Sequence, residues 1–126
     1  MIVLVVGNVT SEQYQSLRLA VTQMRRKPRI KRIDMDSFFS SIGRFESDIA
    51  WDMANGLVPD DEHYYYDARN RFIRGLLGAQ VAAVVYDEPA AEEEDLESDL
   101  REAYPAAEHY IVRIGDGGNW FLDARQ

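Results

Sequence analysis

Hydrophobic residues along this chain alternate between a strand-like and a helix-like rhythm. Met1–Val6 is continuously apolar and rich in Val and Ile, the pattern of a strand buried on both faces within a parallel sheet. Tyr14, Leu17, Val21 and Met24 follow at steps of 3, 4 and 3, which predicts an amphipathic helix. Thr10-Ser11-Glu12-Gln13 opens that helix as a capping box, with Thr10 as the cap and Gln13 reaching back. Pro28 stops it. Lys31–Met35 reads as a second strand. Phe45, Ile49 and Met53 recur at intervals of four and predict a short helix, with Gly56 as its C-terminal cap and Pro59 just beyond. A longer helix is expected from about Asp61 to Leu77, with Tyr65, Phe72, Ile73, Leu76 and Leu77 on its apolar face and Gly78 at its end. Val81–Tyr86 is an apolar strand terminated by Asp87. Ala90–Tyr104 reads as a solvated helix anchored by Leu96, Leu100 and Tyr104. Tyr110–Ile114 is a strand, and Gly115-Asp116-Gly117-Gly118 a hairpin turn into a last strand over Asn119–Asp123.

This order predicts one α/β domain over residues 1–126. It would have three layers, a mainly parallel sheet with helices on both faces, closed by a C-terminal antiparallel hairpin. Ligands of such sheets bind beyond the carboxyl ends of the strands. That directs attention to Gly7–Gln13, Asp34–Phe39 and Asp87–Pro89.

Composition narrows the chemistry. The 126 residues contain no cysteine, which removes disulfides, thiolate metal sites and cysteine nucleophiles and fits a reducing, cytoplasmic setting. No apolar run reaches the roughly 18 residues of a membrane span. Met1–Val6 lacks the basic start and small-residue cleavage site of a signal peptide. A formal charge of −8 disfavours direct nucleic-acid binding. The charge is unevenly spread: Arg25, Arg26, Lys27, Arg29, Lys31 and Arg32 form a basic knot, whereas Tyr86 to Glu108 carries ten acids and one base, Arg101.

Three segments resemble the P-loop nucleoside and polynucleotide kinases. Met1–Gly7 is similar to the strand that leads into the phosphate loop. Ile33-Asp34-Met35-Asp36-Ser37-Phe38-Phe39 resembles the segment in which small-molecule kinases place a catalytic acid before an aromatic pair. Arg69–Gly78 followed by Val81–Asp87 resembles the helix and strand that end in a magnesium-associated aspartate. The resemblance implies a kinase-like fold. If activity accompanies it, the implied cofactors are ATP and magnesium, with Asp34, Asp36 and Asp87 in catalysis and Gly7, Asn8, Thr10 and Ser11 around phosphate.

The residues depart from that motif where the chemistry needs them. Counting from Gly7 through G-x-x-x-x-G-K-[S/T], Glu12 stands at the second glycine, Gln13 at the lysine and Tyr14 at the metal-binding hydroxyl. Gln13 cannot compensate phosphate charge, Glu12 repels it, and Tyr14 is too long and rigid to replace Ser or Thr on magnesium. A Thr10 cap also consumes N-terminal amides that would otherwise bind phosphate. The lid region, Glu88–Glu108, is acidic where arginines should stabilise a transferred phosphoryl group.

Each candidate has a plainer role beside the chemical one. Asp34 and Asp36 are general base and metal ligand, or else a turn residue and the cap of the next helix. Asp87 is a magnesium-site acid, or the start of an ordinary turn with Glu88 and Pro89. His63 and His109 have no partner at metal spacing, so surface or structural places are expected. The basic knot lacks interleaved aromatics and reads as a solvated helix end balancing the acidic helix. Tyr64-Tyr65-Tyr66 is expected to leave one ring exposed.

The favoured expectation is a non-catalytic, kinase-like scaffold without cofactor or metal, acting on a protein partner. Its acidic surface would comprise Glu92, Glu93, Glu94, Asp95, Glu97, Asp99 and Glu102. The expected role is that of a small viral-type inhibitor or regulator of a host complex that holds nucleic acid. The alternative is a kinase with an atypical phosphate loop, acting on a nucleoside, nucleotide or nucleic-acid end.

Overall fold

A computed structural model describes residues 2–13 and 29–125. The helix expected over Tyr14–Met24, and Arg25, Arg26, Lys27 and Pro28, lie outside the described residues. The strands are β1 (Ile2–Val6), β2 (Arg29–Ile33), β3 (Val81–Tyr86), β4 (Glu108–Ile114) and β5 (Trp120–Arg125), in one sheet of order β2-β1-β3-β4-β5. Pairing is parallel except for the last pair, where β4 and β5 run antiparallel. The helices are α1 (Met35–Ala54), α2 (Glu62–Leu77), α3 (Glu88–Ala91) and α4 (Glu94–Ala103).

β1 lies between β2 and β3, which explains its unbroken apolar sequence. Leu4 and Val6 face one core, with Val84 and Tyr86 of β3, while Val3 and Val5 face the other with Ala83 and Val85. The first core also takes Phe38 and Ile42 from α1, Ile73 and Leu77 from α2, Ala90 from α3, and Leu96 and Leu100 from α4. Full burial of a large aliphatic side chain of this kind stabilises the fold by about 2 kcal/mol.

Every helix described over its full length packs on one face; the helix expected between β1 and β2, which the two-face expectation needs, lies outside the described residues. Right-handed crossovers explain the shared face. The connections β2→β3 and β3→β4 advance across the sheet in the same direction, so both pass over the same side.

Several boundaries differ from the sequence expectation. β2 covers Arg29–Ile33 rather than Lys31–Met35, because Asp34 caps α1 and Met35 is already helical. The short helix expected around Phe45 is the second half of α1, a 20-residue helix that also absorbs Asp36-Ser37-Phe38-Phe39. Ser37, Ser40, Ser41 and Gly43 mask its first half, being poor helix formers. Its end is as expected, with Asn55 as cap and Gly56 at a φ of 68°. The acidic segment forms two helices rather than one, because Asp87 starts a short turn of helix and Glu93 starts another. β4 begins two residues earlier than expected, at Glu108, and β5 runs on to Arg125.

Candidate functional site at the switch point

In the order β2-β1-β3-β4-β5 the chain reverses direction between β1 and β3, and the crevice beyond their carboxyl ends is the natural ligand site. Gly7 follows β1 and Asp87 follows β3, so these two residues form its walls. The Asp87 N–H continues the ladder to the Val6 carbonyl at 3.1 Å. One carboxylate oxygen of Asp87 accepts the Ala90 N–H at 2.8 Å, capping α3, and the other accepts the Asn8 N–H at 2.8 Å.

Gly7 has a φ of 87°, and a Cβ built on it would collide with all three atoms of the Asp87 carboxylate. Glycine is required here both for its backbone angle and for the close approach of that side chain. An internal carboxylate thus occupies the space against the loop.

The turn after Asn8 is equally committed. The Thr10 N–H donates to Gln13 Oε1 at 2.9 Å, and the Gln13 N–H donates to Thr10 Oγ1 at 3.3 Å. This is the reciprocal capping box read from the sequence, and it leads directly into helical residues 11–13. Val9 and Gln13 are buried beneath it. Of the four residues the kinase resemblance places around phosphate, Asn8 and Thr10 have given their amides to Asp87 and Gln13, Gly7 packs against the Asp87 carboxylate, and Ser11 begins the helix.

Asp34 and Asp36 stand at the end of β2 and are both exposed. Asp34, rather than Asp36, caps the helix: its carboxylate accepts the Asp36 N–H at 3.1 Å and the Ser37 hydroxyl at 3.0 Å. Among the described residues no group of three His, Asp or Glu side chains is arranged to hold a metal ion.

The acidic surface divides into two classes. Glu92, Glu93, Glu94, Asp95 and Glu102 are exposed, along α4 and the break before it. Glu97 and Asp99 are structural. Glu97 Oε1 accepts from Arg101 at 3.1 Å and from Arg125 at 3.0 Å, tying α4 to β5. Burial favours the protonated form of Glu97, and the two arginine hydrogen bonds outweigh it, so its carboxyl titrates below the usual range.

Asp99 receives Arg69 in a bidentate pair at 2.5 and 3.0 Å, and Arg69 also reaches Glu46 at 3.3 Å. The Asp99 hydrogen bond, opposed by burial, raises the Arg69 pKa further and keeps the guanidinium charged. This cluster floors a groove of about 480 Å³ between α1, α2 and α4, with Tyr65, Tyr66 and Glu102 in its walls. Sequence spacing gave no signal for it, since Glu46, Arg69 and Asp99 come from three different helices.

The basic knot does not balance the acidic helix in the part described. Arg29, Lys31 and Arg32 lie on β2, at the opposite edge from β5, and Lys31 donates to the Leu76 carbonyl at the end of α2. Of the three tyrosines, Tyr66 is exposed while Tyr64 and Tyr65 are half-buried. His63 is exposed and His109 is buried, its Nδ1 at 2.9 Å from the Tyr86 hydroxyl.

No protein-family model, curated protein or solved structure matches this chain. Among the described residues no helix is long and apolar enough to cross a membrane.

Proposed function

We propose that this chain is a non-catalytic α/β scaffold that acts by binding a basic protein partner through α4 and the acidic break before it. The observation that carries this reading is the Asp87 carboxylate seated against Gly7 and bonded to the Asn8 amide. A triphosphate brought to the same loop meets a fixed negative charge, with the Asn8 and Thr10 amides already engaged. The exposed acids Glu92, Glu93, Glu94, Asp95 and Glu102 supply a field that steers and orients a cationic surface.

The kinase-like outline enters as the scaffold of this reading. It is supported by an apolar β1 running into Gly7 beside an acid-terminated β3. An inhibitor or regulator of a nucleic-acid-holding complex is the role such a surface fits, because a groove built for phosphates is itself basic.

Titration of an arginine-rich peptide into the protein by calorimetry at low salt tests the binding surface. Binding is expected, weakened by salt and lost in a Glu92→Lys/Glu93→Lys/Glu94→Lys variant. Undiminished affinity in that variant, or no heat with the natural protein, overturns the proposal.

A further inference from the structure

The two edges of the sheet are protected differently. β2 exposes Arg29, Lys31 and Arg32, like charges that repel a second strand of the same kind. β5 carries no lysine or proline and presents Trp120, Phe121 and Leu122 in succession, with Phe121 54% exposed. Among the described residues its backbone is open as well. The Ile114 N–H donates to Glu88 Oε1 at 3.0 Å instead of to β5, and the hairpin closes through the Gly115 N–H to the Asn119 carbonyl. Alternation then makes Ile114↔Trp120, Val112↔Leu122 and Tyr110↔Ala124 the non-hydrogen-bonded pairs of the ladder. The N–H and C=O groups of Trp120, Leu122 and Ala124 consequently point to the open edge. Among the described residues no strand pairs with that edge.

We propose that β5 pairs antiparallel with β5 of a second copy of this chain, about a two-fold axis through Leu122, joining the two sheets. This surface is separate from the acidic face and does not depend on its role. The pairing is self-complementary in one register. Leu122 faces the partner's Leu122, and Trp120 faces the partner's Ala124, a large ring over a small side chain on each side of the axis. On the other face Phe121 lies opposite the partner's Asp123, while Arg125 keeps its hydrogen bond to Glu97. The open-edge groups of Trp120, Leu122 and Ala124 meet one another in hydrogen-bonded pairs. Moving the axis to Asp123 sets like charges directly opposite, and moving it to Phe121 leaves Ala124 without its partner. A single strand pair falls below the roughly 1,000 Å² of a stable interface, so the dimer is weak and reversible. Each copy carries a charge of −8, so screening by salt strengthens the association.

The absence of cysteine makes the test clean. Cα atoms of a hydrogen-bonded antiparallel pair lie about 5.5 Å apart, within disulfide range. Under oxidised glutathione, a Leu122→Cys variant should convert to a disulfide-linked dimer and a Phe121→Cys variant should stay monomeric. Sedimentation of the natural protein should show a monomer–dimer exchange that tightens with salt and is abolished by Leu122→Lys. A natural protein that stays monomeric at every concentration and salt overturns the proposal. So does equal cross-linking of the two cysteine variants, or a dimer that survives Leu122→Lys.

Discussion

The carboxylate of Asp87 rests against the Cα of Gly7, so closely that no other residue fits at that position. The contact joins the loops that follow the paired strands β1 and β3. A methyl group at residue 7 must displace a carboxylate that bonds both the Asn8 and Ala90 amides, and must also adopt a φ of 87°. Gly7→Ala is therefore expected to cost about 2 kcal/mol or more. Chemical denaturation reads this as a lower midpoint with an unchanged slope. A variant as stable as the natural protein would show that the loop yields easily.

The Arg69–Asp99 pair holds α2 against α4 in a partly desolvated setting, with side-chain exposures of 11% and 14%. Removing the cation alone leaves Asp99 and Glu46 facing each other. Arg69→Met should destabilise the fold by about 3 kcal/mol, and pairing it with Asp99→Leu should recover much of that loss. Urea unfolding midpoints of the single and double variants check both statements. Equal stability of natural and Arg69→Met proteins would show that the pair is dispensable.

His109 provides an acid-sensitive element. Burial, aided by the Arg101 charge and opposed by Glu97, pulls its pKa down to about 4 from an ordinary value of 6.5. Between those values the unfolded chain binds a proton that the folded chain does not. The contribution of neutral His109 is therefore complete above about pH 6.5 and fades as pH falls toward 4, by at most about 1.4 kcal/mol per unit. His109→Phe should flatten the stability profile across that window. A natural protein and variant with parallel profiles would contradict this origin.

The parts of the fold readable in the sequence are those where local pattern and tertiary context agree. The apolar runs of β1 and β3, the Thr10–Gln13 box and the Gly78 stop are local signals that the tertiary structure leaves in place. Asp34 shows the opposite case. Asp36 was expected as the cap and Asp34 as a turn residue, and only the fold makes Asp34 accept from Asp36 and Ser37. The acidic run looked uniform, yet Glu97 and Asp99 are held by Arg101, Arg125 and Arg69, which lie on other turns and other elements. Asp87 was visible as a strand-terminating acid. That its carboxylate would be turned onto the Asn8 amide depends on β3 lying beside β1, a pairing between residues far apart in the chain.

The proposed non-catalytic role requires that the switch-point crevice, where the Asp87 carboxylate sits against Gly7, take up no nucleotide. Isothermal titration of the natural protein with ATP and magnesium tests it most directly. The account predicts no heat of binding at millimolar ligand. Saturable binding at micromolar strength would contradict it and restore the kinase reading, with Asp36 as base and Asp87 at the metal.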